Sequence, residues 1–435
     1  MHATRSNGRA VSGKPGHATR STVVIVLVVA LALRAGWGLY RMNADGAAAL
    51  EFPDEQQYWL MAGSLHDGTG LVDELGFRAG RMPLYPALLS IVTGSSAGIA
   101  AVKVAQWVVG AIGAVFALML GTRIGGRTIG VLAGLMFAAD PFLVFFSNLV
   151  LTETLFVTLL TGLWSYGAGL VAGGRRPSIR QWLTVGAWGL TCAYARESAL
   201  GLIGIALLLQ LTWRRFDRSA WGAIIIVACV LAAGLFPWAL RNRIVIGEWC
   251  WLTTRAGISL YDGVGPQATG ASDLGDVKNS EAVRGLTEVQ RNRYLLDASF
   301  EQIRAEPSRI AGLALHKFLR MWNPVPNAAD YQSWAVRLIG AAWTVPVLLF
   351  ALAGAFVLRK TTPLHGGVVV VYLLLPALYL STLHAIFVGS VRYRLGAMPM
   401  LVVLAAVSVE RFWAAARSHG GSKGPQPEMQ GPRRT

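Results

Sequence analysis

Two adjacent acids, Asp54 and Glu55, sit in the segment FPDEQQYW, residues 52–59, close behind the first long apolar run of the chain. A carboxylate held at the level of membrane headgroups can act as a general base toward a hydroxyl, or can hold a divalent cation against a phosphate. A second acid beside it serves either role, because like charges raise one pKa and extra oxygens suit a hard cation. Pro53 suits the first turn of a helix, where the dipole also favours acids, so position alone leaves structure and chemistry both open.

Other residues offer complementary chemistry. HAIFVGSVRYRLGAMP, residues 384–399, sets Arg392 and Arg394 around Tyr393, and two guanidiniums just outside a membrane suit bidentate binding of a phosphate. PWALRNR, 237–243, ends an apolar run with Arg241 and Asn242, and RMPLYP, 81–86, joins Arg81 to two prolines and Tyr85. Glu153, in LTETLF, 151–156, lies inside an apolar run, where an ionised group costs a few kcal/mol and calls for a buried partner or a function. Arg196 and Glu197 are adjacent and can pair with each other, and the aromatics of WLTTRAGISLYDG, 251–263, suit stacking on sugar rings.

These residues need a scaffold, and the composition defines it. Of 435 residues, 54% are hydrophobic and 14% charged, and the apolar residues gather into long runs between short basic clusters. That is the pattern of a polytopic membrane protein. Continuous runs without alternation exclude a barrel, so the fold class is all-α. The net charge of +16 follows the cytoplasmic bias of basic residues, and no nucleic-acid module accompanies it. Three cysteines form neither a disulfide framework nor a metal knuckle.

At roughly 20 apolar residues per span, about ten transmembrane helices are expected, near 22–40, 99–120, 129–146, 149–171, 182–194, 200–213, 221–240, 335–358, 366–388 and 395–413. Basic clusters at Arg123 and Arg127, Arg175 to Arg180, Arg214 to Arg218, and Arg359 and Lys360 mark alternate loops as cytoplasmic. Both termini then face the cytoplasm, as a basic tail, 1–21, and a Gly- and Pro-rich tail, 417–435, expected to be disordered. The membrane domain between them, 22–416, sends two long loops, 41–82 and 241–332, to the outer face. Residues 83–94 are too short for a span and are expected as an interfacial helix. The basic residues flanking the spans make membrane lipids expected partners.

With these motifs placed, the chain resembles the GT-C class of integral-membrane glycosyltransferases, in the bacterial branch similar to dolichyl-phosphate-mannose protein mannosyltransferases and to the lipid A aminoarabinose transferase. The acidic pair Asp54 and Glu55, the R-x-P-L-Y-P segment at 81–86, Thr152–Glu153, P-W-x-x-R-N at 237–242 and R-Y-R-x-x-x-x-P at 392–399 occur in the family's order. The resemblance implies an inverting transfer of a sugar from a polyprenyl-phosphate donor to a hydroxyl of a glycan, lipid or protein on the outer face of the cell membrane. It also implies roles. Asp54 and Glu55 would be catalytic and would hold a divalent metal if one is used. Arg392, Arg394 and Arg241 would bind the donor phosphate. Arg81, Tyr85, Glu153, Tyr393 and Asn242 would support the site. A flippase of lipid-linked sugars is the alternative, but the mid-span charges Arg34, Lys103, Glu153 and Arg337 are too scattered to form a path.

Overall fold

The computed structural model describes residues 18–172, 176–213, 217–275, 277, 281–361 and 366–420, and among these it is helical, with no β-strand. A helix forms at each of the ten expected positions. Six are long and apolar enough to cross a membrane: α1 (Arg20–Asp45), α4 (Gly98–Gly125), α10 (Arg218–Ile246), α14 (Trp334–Thr361), α15 (Gly366–Ile386) and α16 (Met398–Gly420), the last over Met398–Arg417. The chain is a multi-pass membrane protein. The other four positions hold α5 (Arg127–Ala139), α7 (Glu153–Ala172), α8 (Ile179–Ala195) and α9 (Ala199–Trp213). The C-terminal tail expected to be disordered, 417–435, continues the last helix to Gly420 and otherwise lies outside the described residues.

The expected single helix 129–146 is broken. Asp140 leaves the helical conformation, and its Oδ1 accepts from Phe142 N at 2.9 Å and Leu143 N at 3.1 Å, while Pro141, lacking an N–H, starts the short α6 (Pro141–Phe146). α4 is the central packing partner of α1, α5 and α7, and α16 packs on α5 and α14. Close approach of α4 to α5 depends on glycine: a Cβ on Gly121 would stand 2.9 Å from Gly130 Cα.

Both long loops contain helices. The first contains α2 (Pro53–His66), followed by the seven-residue α3 (Leu84–Ser90) in the stretch expected to lie at the interface. The second contains α11 (Ala256–Val264), α12 (Glu288–Ala305) and α13 (Pro307–Met321). The two loops are tied together: Thr254 N donates to Ala79 O at 2.9 Å, and Glu288 Oε2 accepts from Arg78 N at 2.8 Å and Ala79 N at 3.3 Å. A 3₁₀ turn, Val391–Gly396, joins α15 to α16 at the same end of the bundle.

Candidate active site

The site is assembled where α2, the loop before α3, the start of α7 and the Val391–Gly396 turn meet. Asp54, in the first turn of α2, has both carboxylate oxygens engaged: Oδ1 accepts from Arg81 Nη2 at 2.8 Å and Oδ2 from Arg392 Nη1 at 2.7 Å. Arg392 reaches on with Nε to Glu153 Oε1 at 2.7 Å, which also accepts from Arg196 Nη2 at 3.0 Å. One guanidinium thus bridges two acids 99 positions apart in the chain. Burial would raise the Asp54 carboxyl, but the Arg81 and Arg392 charges outweigh it and hold it far below the usual carboxylate range.

Helix geometry adds the next residues. Gln57 and Tyr58 stand three and four positions after Asp54, on its face of α2. Gln57 Oε1 accepts from Arg81 Nη2 at 2.6 Å, from Arg81 Nε at 3.1 Å and from Arg255 Nη1 at 3.2 Å. Arg81 also lies over the Tyr58 ring at 4.9 Å, which meets Tyr85 edge-on at 5.2 Å. Tyr85 is buried and donates to Gln106 Oε1 at 3.3 Å, closing the floor. Tyr393 forms one wall, stacked on His384 with centroids 3.7 Å apart and flanked by Arg196 and Arg392.

The structure holds several other expected site residues apart from this cluster. Glu55 is fully buried, and its oxygens accept from Val150 N at 2.6 Å, Glu51 N at 2.8 Å and Phe52 N at 3.0 Å. Burial nonetheless holds its pKa above the usual range. Neighbours in an α-helix point about 100° apart, so Asp54 and Glu55 diverge into different environments. Arg394 is also fully buried: it donates to Asn323 O and to Thr344 Oγ1 at 3.2 Å, and lies 4.7 Å over the Phe142 ring. Arg241 donates to Arg78 O and to Asn242 Oδ1 at 3.0 Å, and buried Asn242 donates to Cys250 O at 2.8 Å. The expected Arg196–Glu197 pair is replaced by Arg196 with Glu153, while Glu197 accepts from Thr253 Oγ1 at 3.4 Å.

Sequence reasoning passed over Gln57 and Arg255, and offered Arg196 only a pairing with Glu197. Gln57 was legible from its spacing after Asp54. Arg255, a lone cation in a polar loop, carried no such signal, yet it stands beside Arg81, and burial and that neighbouring charge lower its pKa.

Around Asp54 and Glu153 stand Arg81, Arg196, Arg255 and Arg392, four guanidiniums whose N–H groups can serve an anion, and Glu197 near Arg81 with Asp73 near Arg255 and Arg81 brings the acids to four as well. Asp54 and Glu55 do not fit a divalent metal: guanidiniums hold one and backbone amides the other, and the described residues contain no cluster of three His, Cys, Asp or Glu.

A multi-pass helical membrane protein with a charged site formed by loops at one end matches a known architecture. No known family model matches the chain, and no curated protein matches it in sequence. Solved structures do. The archaeal oligosaccharyltransferase AglB from Archaeoglobus fulgidus, in its apo form, superposes with a TM-score of 0.58 at 14% identity, over 93% of this chain and 52% of that one. The same enzyme with an inhibitory peptide and a dolichol-phosphate gives 0.55 at 14% identity, over 94% and 52%. ArnT from Cupriavidus metallidurans, bound to undecaprenyl phosphate, aligns over 95% of this chain and 82% of its own at 12% identity, with a TM-score of 0.39. The fold is that of the AglB structures, about half of whose length the chain spans.

Proposed function

We propose that the protein is a membrane glycosyltransferase that moves a sugar from a polyprenyl-phosphate donor to an acceptor hydroxyl on the outer face of the cell membrane, with both termini cytoplasmic. The observation that carries this reading is the Asp54–Arg392–Glu153 bridge with Arg81 and Arg255 beside it: a carboxylate able to take a proton, set among guanidiniums able to take a phosphate. The fold shared with AglB, itself seen with a dolichol-phosphate, supports the donor class.

The chemistry follows from charge. A polyprenyl-phosphate sugar carries one negative charge, and its phosphate gains another as the glycosidic bond breaks. Arg392, Arg81 and Arg255 stabilise that developing charge, and Glu153 with Arg196 keeps Arg392 aimed at it. As the phosphate draws guanidinium N–H groups to itself, Asp54 loses its counter-charges and recovers the basicity needed to deprotonate the attacking hydroxyl. Direct displacement inverts the anomeric centre. Tyr393 and the aromatic residues of the second loop would bound the sugar.

Mass spectrometry of envelope glycans, lipids and glycoproteins from cells with and without the gene tests the proposal. The expected result is one sugar missing from one acceptor class, restored by the wild-type gene and not by Asp54→Asn. An unchanged envelope would overturn it.

A further inference from the structure

Gln57 gathers more charge around it than a neutral side chain usually does. It stands on α2 almost one turn after Asp54 and is 4% exposed, and its carbonyl oxygen accepts from Arg81 Nη2 at 2.6 Å, Arg81 Nε at 3.1 Å and Arg255 Nη1 at 3.2 Å. The other end of the amide is engaged as well, with Nε2 donating to Glu74 Oε1 at 3.4 Å. The oxygen therefore faces guanidiniums and the nitrogen faces a carboxylate, and a flipped amide would set N–H groups against N–H groups.

The two arginines come from different loops. Arg81 precedes α3 in the first, and Arg255 is the residue before α11 in the second. Each cation disfavours the other. Arg81 is held in addition by Asp54 at 2.8 Å, whereas Gln57 is the one hydrogen-bond partner of the Arg255 guanidinium among the described residues. Asp73 acts on Arg255 by its charge but does not orient it: its Oδ1 accepts from Leu75 N and Phe77 N, both at 2.9 Å, and its Oδ2 has no partner among the described residues. What aims Arg255 is an amide and not an acid.

That difference decides what the pair can do. A carboxylate in the same place would hold both guanidiniums more tightly and cancel one of their charges, while an amide oxygen fixes their direction and leaves both charges for an arriving anion. Arg255 is half-buried, and the rest of its N–H donors are uncommitted among the described residues. Two cations gathered on one neutral acceptor favour a single anion between them, because it converts their repulsion into attraction.

We infer that Gln57 is a positioning residue that aims Arg81 and Arg255 together at one anionic group, the donor phosphate, and that its lack of charge is part of the role. The inference deepens the proposed function and rests on it for the identity of the anion alone.

The test measures undecaprenyl phosphate binding and melting temperature on the full-length protein in nanodiscs, for Gln57→Leu, Gln57→Glu and Arg255→Met. Gln57→Leu removes the acceptor and weakens binding about tenfold; combined with Arg255→Met, it loses at least about fivefold less than the product of the two single losses, because groups sharing one network are not additive. Gln57→Glu separates aim from charge: it keeps the acceptor and gains an ion pair, so the melting temperature holds or rises while affinity falls about tenfold. Additive losses in the cycle, or Gln57→Glu binding within about twofold of the wild type, would show a merely structural Gln57 and overturn the inference. If the wild type binds no undecaprenyl phosphate, the functional reading falls by itself and inorganic phosphate becomes the probe, read as a rise in melting temperature. A rise in the wild type that both Gln57 variants lose sustains the paired anion site, and no rise, or a rise that either variant keeps, refutes it. If Gln57→Leu fails to fold, Gln57→Asn, one methylene shorter, takes its place in the cycle.

Discussion

Replacing Arg392 by lysine isolates what the guanidinium fork contributes, because the charge is kept and only the geometry changes. Arg392 addresses Asp54 through Nη1 and Glu153 through Nε, each at 2.7 Å. An ammonium group is a single point on a flexible stem and can address one carboxylate well, or a phosphate, but not all of them at once. One charge-assisted hydrogen bond is worth about 1.5–3 kcal/mol. The Arg392 side chain is 17% exposed and that of Asp54 30%, so screening places the effect toward the lower end, about ten- to thirtyfold at 1.4 kcal/mol per tenfold. The assay is binding of undecaprenyl phosphate to detergent-purified protein of matched monodispersity. Arg394→Lys is the internal control: that residue is buried away from Asp54, so its replacement lowers the melting temperature and leaves affinity in the folded fraction unchanged. Arg392→Lys within about threefold of wild type, or Arg394→Lys as damaging to affinity as Arg392→Lys, would refute the assignment of the two arginines.

Three further outcomes follow from the same geometry. Glu55→Gln loses charge-assisted acceptance from three backbone N–H groups and destabilises by about 1–3 kcal/mol, seen as a lower melting temperature with undecaprenyl-phosphate affinity preserved. Arg255→Met, which removes a side chain with one hydrogen bond to Gln57, weakens that affinity about tenfold with little change in melting temperature. Lys317, 1% exposed on α13 and donating to Ile386 O at 2.7 Å, has its pKa pushed down to about 8 by burial, against Asp262, which raises it, and alongside Arg309. The unfolded chain therefore binds the proton more tightly than the fold between about pH 8 and the ordinary lysine value near 10.4, so stability relative to Lys317→Met rises across that window and is flat below it; melting curves at stepped pH check the sign.

The sequence made the bundle and half of the site legible, and the physical reasons for the other half are specific. Apolar runs located the long apolar helices, because burial in a bilayer writes itself into composition, and passed over the polar α12. The helix expected over 129–146 was missed as two because a capping Asp140 followed by proline reads as polar punctuation only when its backbone bonds are known. Asp54, Arg81, Glu153, Arg392 and Tyr393, singled out because ionisable groups beside apolar runs demand an explanation, are brought together by the fold. Adjacency misled in the two motifs where it was trusted. Glu55 follows Asp54 by one position in an α-helix, and Arg394 follows Arg392 by two in a 3₁₀ turn with 3.0 residues per turn, so in each case the second residue turns away from the site. Arg196 and Arg255 belong to it through contacts 43 and 198 positions distant, which no local spacing encodes.

The central claim is that the Asp54–Arg392 constellation transfers sugar from a lipid-linked phosphate. It is tested most directly by incubating the purified protein in nanodiscs with radiolabelled polyprenyl-phosphate sugar and an envelope extract as acceptor, and measuring free polyprenyl phosphate. Release that depends on the acceptor, persists in the wild type and is lost in Asp54→Asn of equal melting temperature is the result predicted. Bound donor that is never cleaved by the wild type, or cleavage that continues unchanged in Asp54→Asn, would contradict it.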